Sequence, residues 1–162
     1  MKHLKAFGKL FESNQDLWEQ ISGSEWASRE SKWGKDVPID DKDKQAIREL
    51  VNSNWGTKKP EYVNWDFNLS FSGGRSEIEI CSDEGYGESK ILLYVIKTPD
   101  EWYLVKEYFY KWHKGGKTSS WRQTNYRDLE GNSVYESYYK CDSIDGLLEL
   151  IKARRAWLYT KS

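Results

Sequence analysis

Glu136-Ser-Tyr-Tyr-Lys-Cys-Asp-Ser-Ile-Asp-Gly-Leu-Leu-Glu-Leu-Ile151 is a short aromatic strand running through a polar corner into a helix. Tyr139 and Cys141 alternate with Tyr138 and Lys140, the period of two that sends successive side chains to opposite faces of a sheet. From Ile144 the period changes. Ile144, Leu147, Leu148, Ile151 and Leu158 fall on one face of a 3.6-residue helix, with Trp157 beside them. Asp142 or Ser143 supplies the N-cap, because a short oxygen-bearing side chain accepts from the unpaired amides of a first turn. Asp145 suits the positive end of the helix dipole, and Lys152, Arg154 and Arg155 suit the negative end. The stretch therefore predicts a helix over about Ser143 to Leu158, packed across an antiparallel sheet.

Outward from this corner, alternation marks the other strands. Val63, Trp65, Phe67, Leu69 and Phe71 alternate with polar neighbours, giving a strand with one dry and one wet face. Ile78 and Ile80 alternate with Glu77 and Glu79. Ile91 to Ile96 is apolar on both faces, as in a central strand. Trp102 to Trp112 carries aromatics on both faces. With Val134 to Cys141 these make an α+β fold: an antiparallel sheet of about five strands in meander order, with helices packed mainly on one face. The division expected is an N-terminal helical segment, 1–60, packed on a core of sheet and C-terminal helix, 61–162, in a single domain overall.

In the N-terminal part, Leu4, Phe7 and Phe11 share a helical face, and a second short helix is expected to hold Leu17, Trp18 and Ile21. The surrounding Lys2, Lys5 and Lys9 would suit a membrane surface or a partner groove, but packing on the protein's own core is the reading favoured. Trp26 and Trp33 would pin a polar loop. A clearer helix runs from Asp40 to Asn52 on Ile47, Leu50 and Val51. Asp40, Asp41 and Asp43 are explained by its dipole rather than by a metal.

Composition bounds the function. Apolar residues make 38 % of the 162, about 45 % with the 12 glycines, but aromatics reach 15 %, far from the composition of a disordered chain. The 25 basic and 26 acidic residues leave a net charge of -1, so polyanion binding by bulk field is excluded. No signal peptide or membrane span is expected. Cys81 and Cys141 are read as thiols rather than a disulfide, and the expected location is the cytoplasm.

Catalytic chemistry is sparse. Only His3 and His113 are available as imidazoles, and no catalytic constellation, metal set or cofactor motif is complete around them. Gly115-Gly-Lys-Thr-Ser119 ends like a phosphate-binding loop, but position 111 is Lys where that motif needs Gly, and no helix comes after it. There remains the stretch 111–127. Lys111, Lys114, Lys117, Arg122 and Arg127 have no acid between them, and Trp112, His113, Trp121 and Tyr126 are interleaved. This mixture fits a protein-binding loop or nucleic acid, and equally a solvated hairpin whose tryptophans fold back on the sheet. A non-enzymatic binding module acting on a protein partner is the reading favoured. Nucleic-acid binding through the same loop is the alternative, and a small hydrolase built on His113 and carboxylates such as Asp66 or Asp83 is the third. Oligomeric state is not encoded.

Met1-Lys-His-Leu-Lys-Ala-Phe-Gly-Lys-Leu-Phe-Glu-Ser13, Asp100-Glu-Trp-Tyr-Leu-Val105 and Tyr138 to Ile151 resemble uncharacterised small α+β proteins of large tailed bacteriophages. The resemblance implies a phage-associated source and a host-cell setting. It implies no activity.

Overall fold

The computed structural model describes residues 17–33, 39–52, 64–70, 76–83, 89–98, 100 and 102–160. In chain order the elements are β1 (Trp18–Ile21), α1 (Gly23–Trp33), α2 (Asp41–Asn52), β2 (Asn64–Ser70), β3 (Ser76–Asp83), β4 (Ser89–Lys97), β5 (Tyr103–Gly115), β6 (Thr118–Gln123), β7 (Tyr126–Arg127), β8 (Ser133–Val134), β9 (Glu136–Cys141) and α3 (Ile144–Tyr159). The fold is α+β. Seven strands form an antiparallel sheet in the order β1-β9-β5-β4-β3-β2, with β6 on β5, and β7 pairs with β8.

Alternation on β4 and β5 builds two cores. Ile91, Leu93, Val95, Tyr103, Val105 and Phe109 point to one face, where Ile47 of α2 and Leu147, Leu150, Ile151 and Leu158 of α3 cover them. The intervening Ile96 and Leu104 point the other way, into a smaller cluster with Ile21 of β1 and Trp26 of α1. Two helices thus lie on one face and α1 on the other. On α3, Leu150 is fully buried and Leu148 only partly so, which rotates the buried stripe slightly from the one the sequence suggests. The Ser143 hydroxyl caps α3 by accepting from Gly146 N at 3.2 Å, and Asp40 caps α2 by accepting from Asp43 N at 2.9 Å.

The N-terminal expectations change. Trp18–Ile21 is not helical but an edge strand, paired from Trp18 opposite Cys141 to Ile21 opposite Tyr138. Four residues that satisfy the open edge of β9 outweigh a short local helical pattern. The first 60 residues therefore contribute a strand to the same sheet, not only helices. Trp26 sits in a helix rather than a loop, 4 % exposed. The helix expected over Leu4 to Phe11 lies outside the described residues.

Two buried polar networks tie the layers together. Arg154 of α3 donates to Glu107 of β5 through Nε at 2.7 Å and Nη2 at 2.9 Å. The Tyr126 and Tyr139 hydroxyls donate to the same carboxylate at 3.0 and 3.2 Å. Lys97 of β4 donates to Asp43 at 2.9 Å and Asp40 at 3.1 Å, and Tyr103 donates to Asp43 at 2.5 Å. Burial opposes the Lys97 charge, but its hydrogen bonds to Asp43 and Asp40 outweigh that and raise its pKa.

Cys141 is a buried free thiol whose pKa burial pushes up. β3, which carries Cys81, is separated from β9 by β4 and β5, placing the two backbones about 14 Å apart, beyond disulfide reach. No helix among the described residues is long and apolar enough to cross a membrane.

Candidate functional site

The stretch 111–127 is not a loop. β5 continues to Gly115, turns through Gly116 and Lys117, and returns as β6, in register from Gly115 opposite Thr118 to Tyr110 opposite Gln123. Gly116 adopts φ 48°, the left-handed backbone that a two-residue hairpin turn needs at its first position. The glycines that resembled part of a phosphate loop are therefore turn residues, and they lead into a strand rather than a helix.

β4 accompanies β5 only as far as Ser89 opposite Lys111. Beyond that point no described residue of β4 accompanies the two-stranded ribbon, and every residue from Gly116 to Ser120 is exposed.

Pairing sorts the candidate residues by face. Trp112 stands opposite Trp121, with ring centroids 5.3 Å apart at 73°, an edge-to-face contact that stiffens the ribbon. Lys114 stands opposite Ser119 on the same face. On the reverse face Lys111 stands opposite Arg122, and His113 opposite Ser120. Lys111, Arg122 and His113 are exposed, as is Lys117 in the turn.

Lys90 of β4 also reaches the ribbon. Its ammonium lies 4.6 Å from the Trp121 ring centroid and 5.4 Å from that of Tyr110, and it pairs with Glu79 at 3.0 Å. Glu79 thus supplies a countercharge to Lys90 within the sheet. The clue was Lys90 preceding an otherwise apolar run, but only the register of β4 on β5 brings it to Trp121. Tyr110 has a raised pKa through burial and then through Glu79 and Glu77. Neighbouring Tyr108 is pushed up to about 12 by burial and by Glu136.

Two sequence candidates leave the set. Tyr126 is 6 % exposed and lies between Phe109 and Trp157 with its ring tilted to both, and its hydroxyl oxygen is 2.7 Å from Ser137 Oγ. Burial, then the Glu107 charge, drives its pKa far upward. It is a core residue because β7 leaves the hairpin and turns back over the sheet. Arg127 is exposed, but it belongs to the β7–β8 turn, donating to Gly131 O at 2.9 Å, not to the ribbon.

His113 has no carboxylate hydrogen-bonded to it among the described residues; the side chains of Asp66 and Asp83 are not described. Among the described residues no group of three His, Cys, Asp or Glu side chains could hold a metal ion. The Arg154–Glu107 and Lys97–Asp43 ion pairs, by contrast, are buried inside the fold.

No protein-family model matches the chain, and neither a curated protein nor a solved structure is significantly similar to it.

Proposed function

We propose that the protein is a non-enzymatic binding module whose β5–β6 hairpin contacts an acidic surface of a protein partner. One observation carries this reading: Lys111, Lys114, Lys117 and Arg122 lie on a two-stranded ribbon that outruns β4, with no acid in the sequence from Tyr108 to Arg127. Exposed cations on such a projection steer association with an anionic partner. The tryptophans meet each other rather than lying open as stacking platforms, which favours a protein over single-stranded nucleic acid. The cytoplasm of a host cell is the setting that the phage resemblance suggests.

The test compares the full chain with a Lys111→Glu, Arg122→Glu variant of equal thermal stability. Partners captured from a nuclease-treated lysate should be lost with the variant and weakened by salt. If the variant keeps every partner, the hairpin is not the contact. If capture vanishes on nuclease treatment and the purified wild type retains nucleic acid by its absorbance ratio, the same hairpin serves nucleic acid instead.

A further inference from the structure

Among the described strands β6 pairs only with β5, and hairpin geometry fixes the direction of its outer backbone groups. A two-residue connection closes on a hydrogen-bonded pair, so Gly115/Thr118, His113/Ser120 and Lys111/Arg122 exchange backbone bonds, and the pairs between them do not. The bond from Thr124 N to Phe109 O at 2.9 Å continues the same alternation. The N–H and C=O groups of Ser119 and Trp121 therefore point away from β5. Among the described residues no backbone hydrogen bond from elsewhere in the chain reaches them.

An open edge of this kind is a template for another strand, and the flanking side chains decide which strand fits. On one face an added strand would run beside Arg122 and Lys111, and on the other beside Trp121. A second copy of β6 would bring no carboxylate to Arg122 or Lys111, since β6 itself carries none. A strand with carboxylates at alternate positions and apolar residues between them satisfies both faces. We infer that the outer edge of β6 captures an extended, acidic-apolar alternating segment of the partner as an additional β-strand. The inference rests on the hairpin being the binding element, and adds main-chain pairing to the charge contact.

The probe is the blocked hexapeptide acetyl-Glu-Val-Glu-Val-Glu-Val-amide, titrated into the isotopically labelled full chain and followed by backbone amide shifts. Saturable shifts should centre on residues 118–122, with half-saturation at about 1 mM or below. Ser119→Pro removes an N–H that faces outward and leaves the β5 ladder intact. It should weaken the probe about tenfold, whereas Ser119→Ala should not. Slow exchange of the Lys111 and His113 amides checks that the hairpin survives. If it does not survive, a probe methylated on its valine nitrogens asks the same question of the unaltered protein, and should fail to bind.

Arg122→Glu should also lose the probe. Loss with Arg122→Glu but full binding with Ser119→Pro, or by the methylated probe, would leave the charged contact standing and overturn strand addition. Binding untouched by all three changes, or no binding at about 5 mM, would overturn the inference. An equally tight interaction with the oppositely charged acetyl-Lys-Val-Lys-Val-Lys-Val-amide would do the same. Displacement of the probe by a short duplex at lower concentration would assign the ribbon to nucleic acid.

Discussion

Replacing Arg154 by Met tests how the sheet and α3 are held together. Glu107 is completely buried and the Arg154 side chain 3 % exposed, so the variant strands a carboxylate in the core with only the Tyr126 and Tyr139 hydroxyls on it. Breaking a buried pair from one side costs about 3 to 5 kcal/mol, a large fraction of the roughly 5 to 15 kcal/mol of a whole domain. The methionine also forfeits the contact of the guanidinium 4.5 Å from the Trp157 ring centroid, worth about 1 kcal/mol. In urea the midpoint should fall by about 2 M. The compensated variant carries Glu107→Met, Arg154→Met and Tyr139→Phe together. It removes both charges and the hydroxyl they would orphan, while Tyr126 keeps Ser137 at 2.7 Å. Replacing a buried pair by apolar groups of similar volume is close to neutral, so this triple variant should lie within about 2 kcal/mol of the parent. A single variant costing under about 1 kcal/mol, or a triple variant less stable than the single one, would refute the account.

Gly146→Ala should lower the melting temperature, although alanine is worth about 1 kcal/mol over glycine in most helix positions. A Cβ at Gly146 would overlap the Leu17 carbonyl oxygen, which also accepts from Asp142 N at 2.9 Å. The overpacking should cost about 1 to 3 kcal/mol, and a raised melting temperature would show that β1 does not sit against the first turn of α3. At alkaline pH, urea stability should fall. The pKa values of Tyr126 and Tyr139, through burial and then Glu107, and of Lys97 are raised above their ordinary values of 10.0 and 10.5. Groups raised on folding stabilise fully below the unfolded pKa and lose that contribution as pH climbs towards the folded one. The decline should therefore begin near pH 10, and Tyr126→Phe should make it shallower. A constant stability from about pH 9 to pH 12 would contradict the burial of these groups.

The C-terminal corner was legible because each signal in it is local: alternation to Cys141, an oxygen at Ser143, then a helical stripe. β1 was not, because four residues carry too little pattern to separate a strand from a helical turn; what decides it is the unpaired edge of β9, more than 110 residues away. The hairpin looks like a loop in the sequence because Lys-Gly-Gly-Lys-Thr-Ser-Ser breaks the apolar alternation. Trp112 and Trp121 nevertheless lie symmetrically about the Gly116–Lys117 turn, a spacing that marks a cross-strand pair once a two-residue turn is assumed. The burial of Tyr126 is hidden in the sequence for the opposite reason. Its neighbours are polar and basic, and the Glu107 carboxylate that explains its burial lies 19 residues earlier.

The hairpin differs from the rest of the molecule in how it treats charge. Two cations that enter the core are answered in place: Arg154 by Glu107, Lys97 by Asp43 and Asp40. Lys90, half-buried at the base of the ribbon, is answered by Glu79. One step further along β5, Lys111 faces Arg122 directly across the ladder. Like charges in that position destabilise a strand pair by up to about 1 kcal/mol, and the Trp112–Trp121 contact one pair further out offsets a cost of that size. A carboxylate at either position would relieve the repulsion and make a more stable ribbon. Stability of the strand pair therefore does not account for Lys111 and Arg122, neither of which pairs with a carboxylate among the described residues, whereas an anionic strand laid along β6 would supply a countercharge at the point where the backbone is open to receive it.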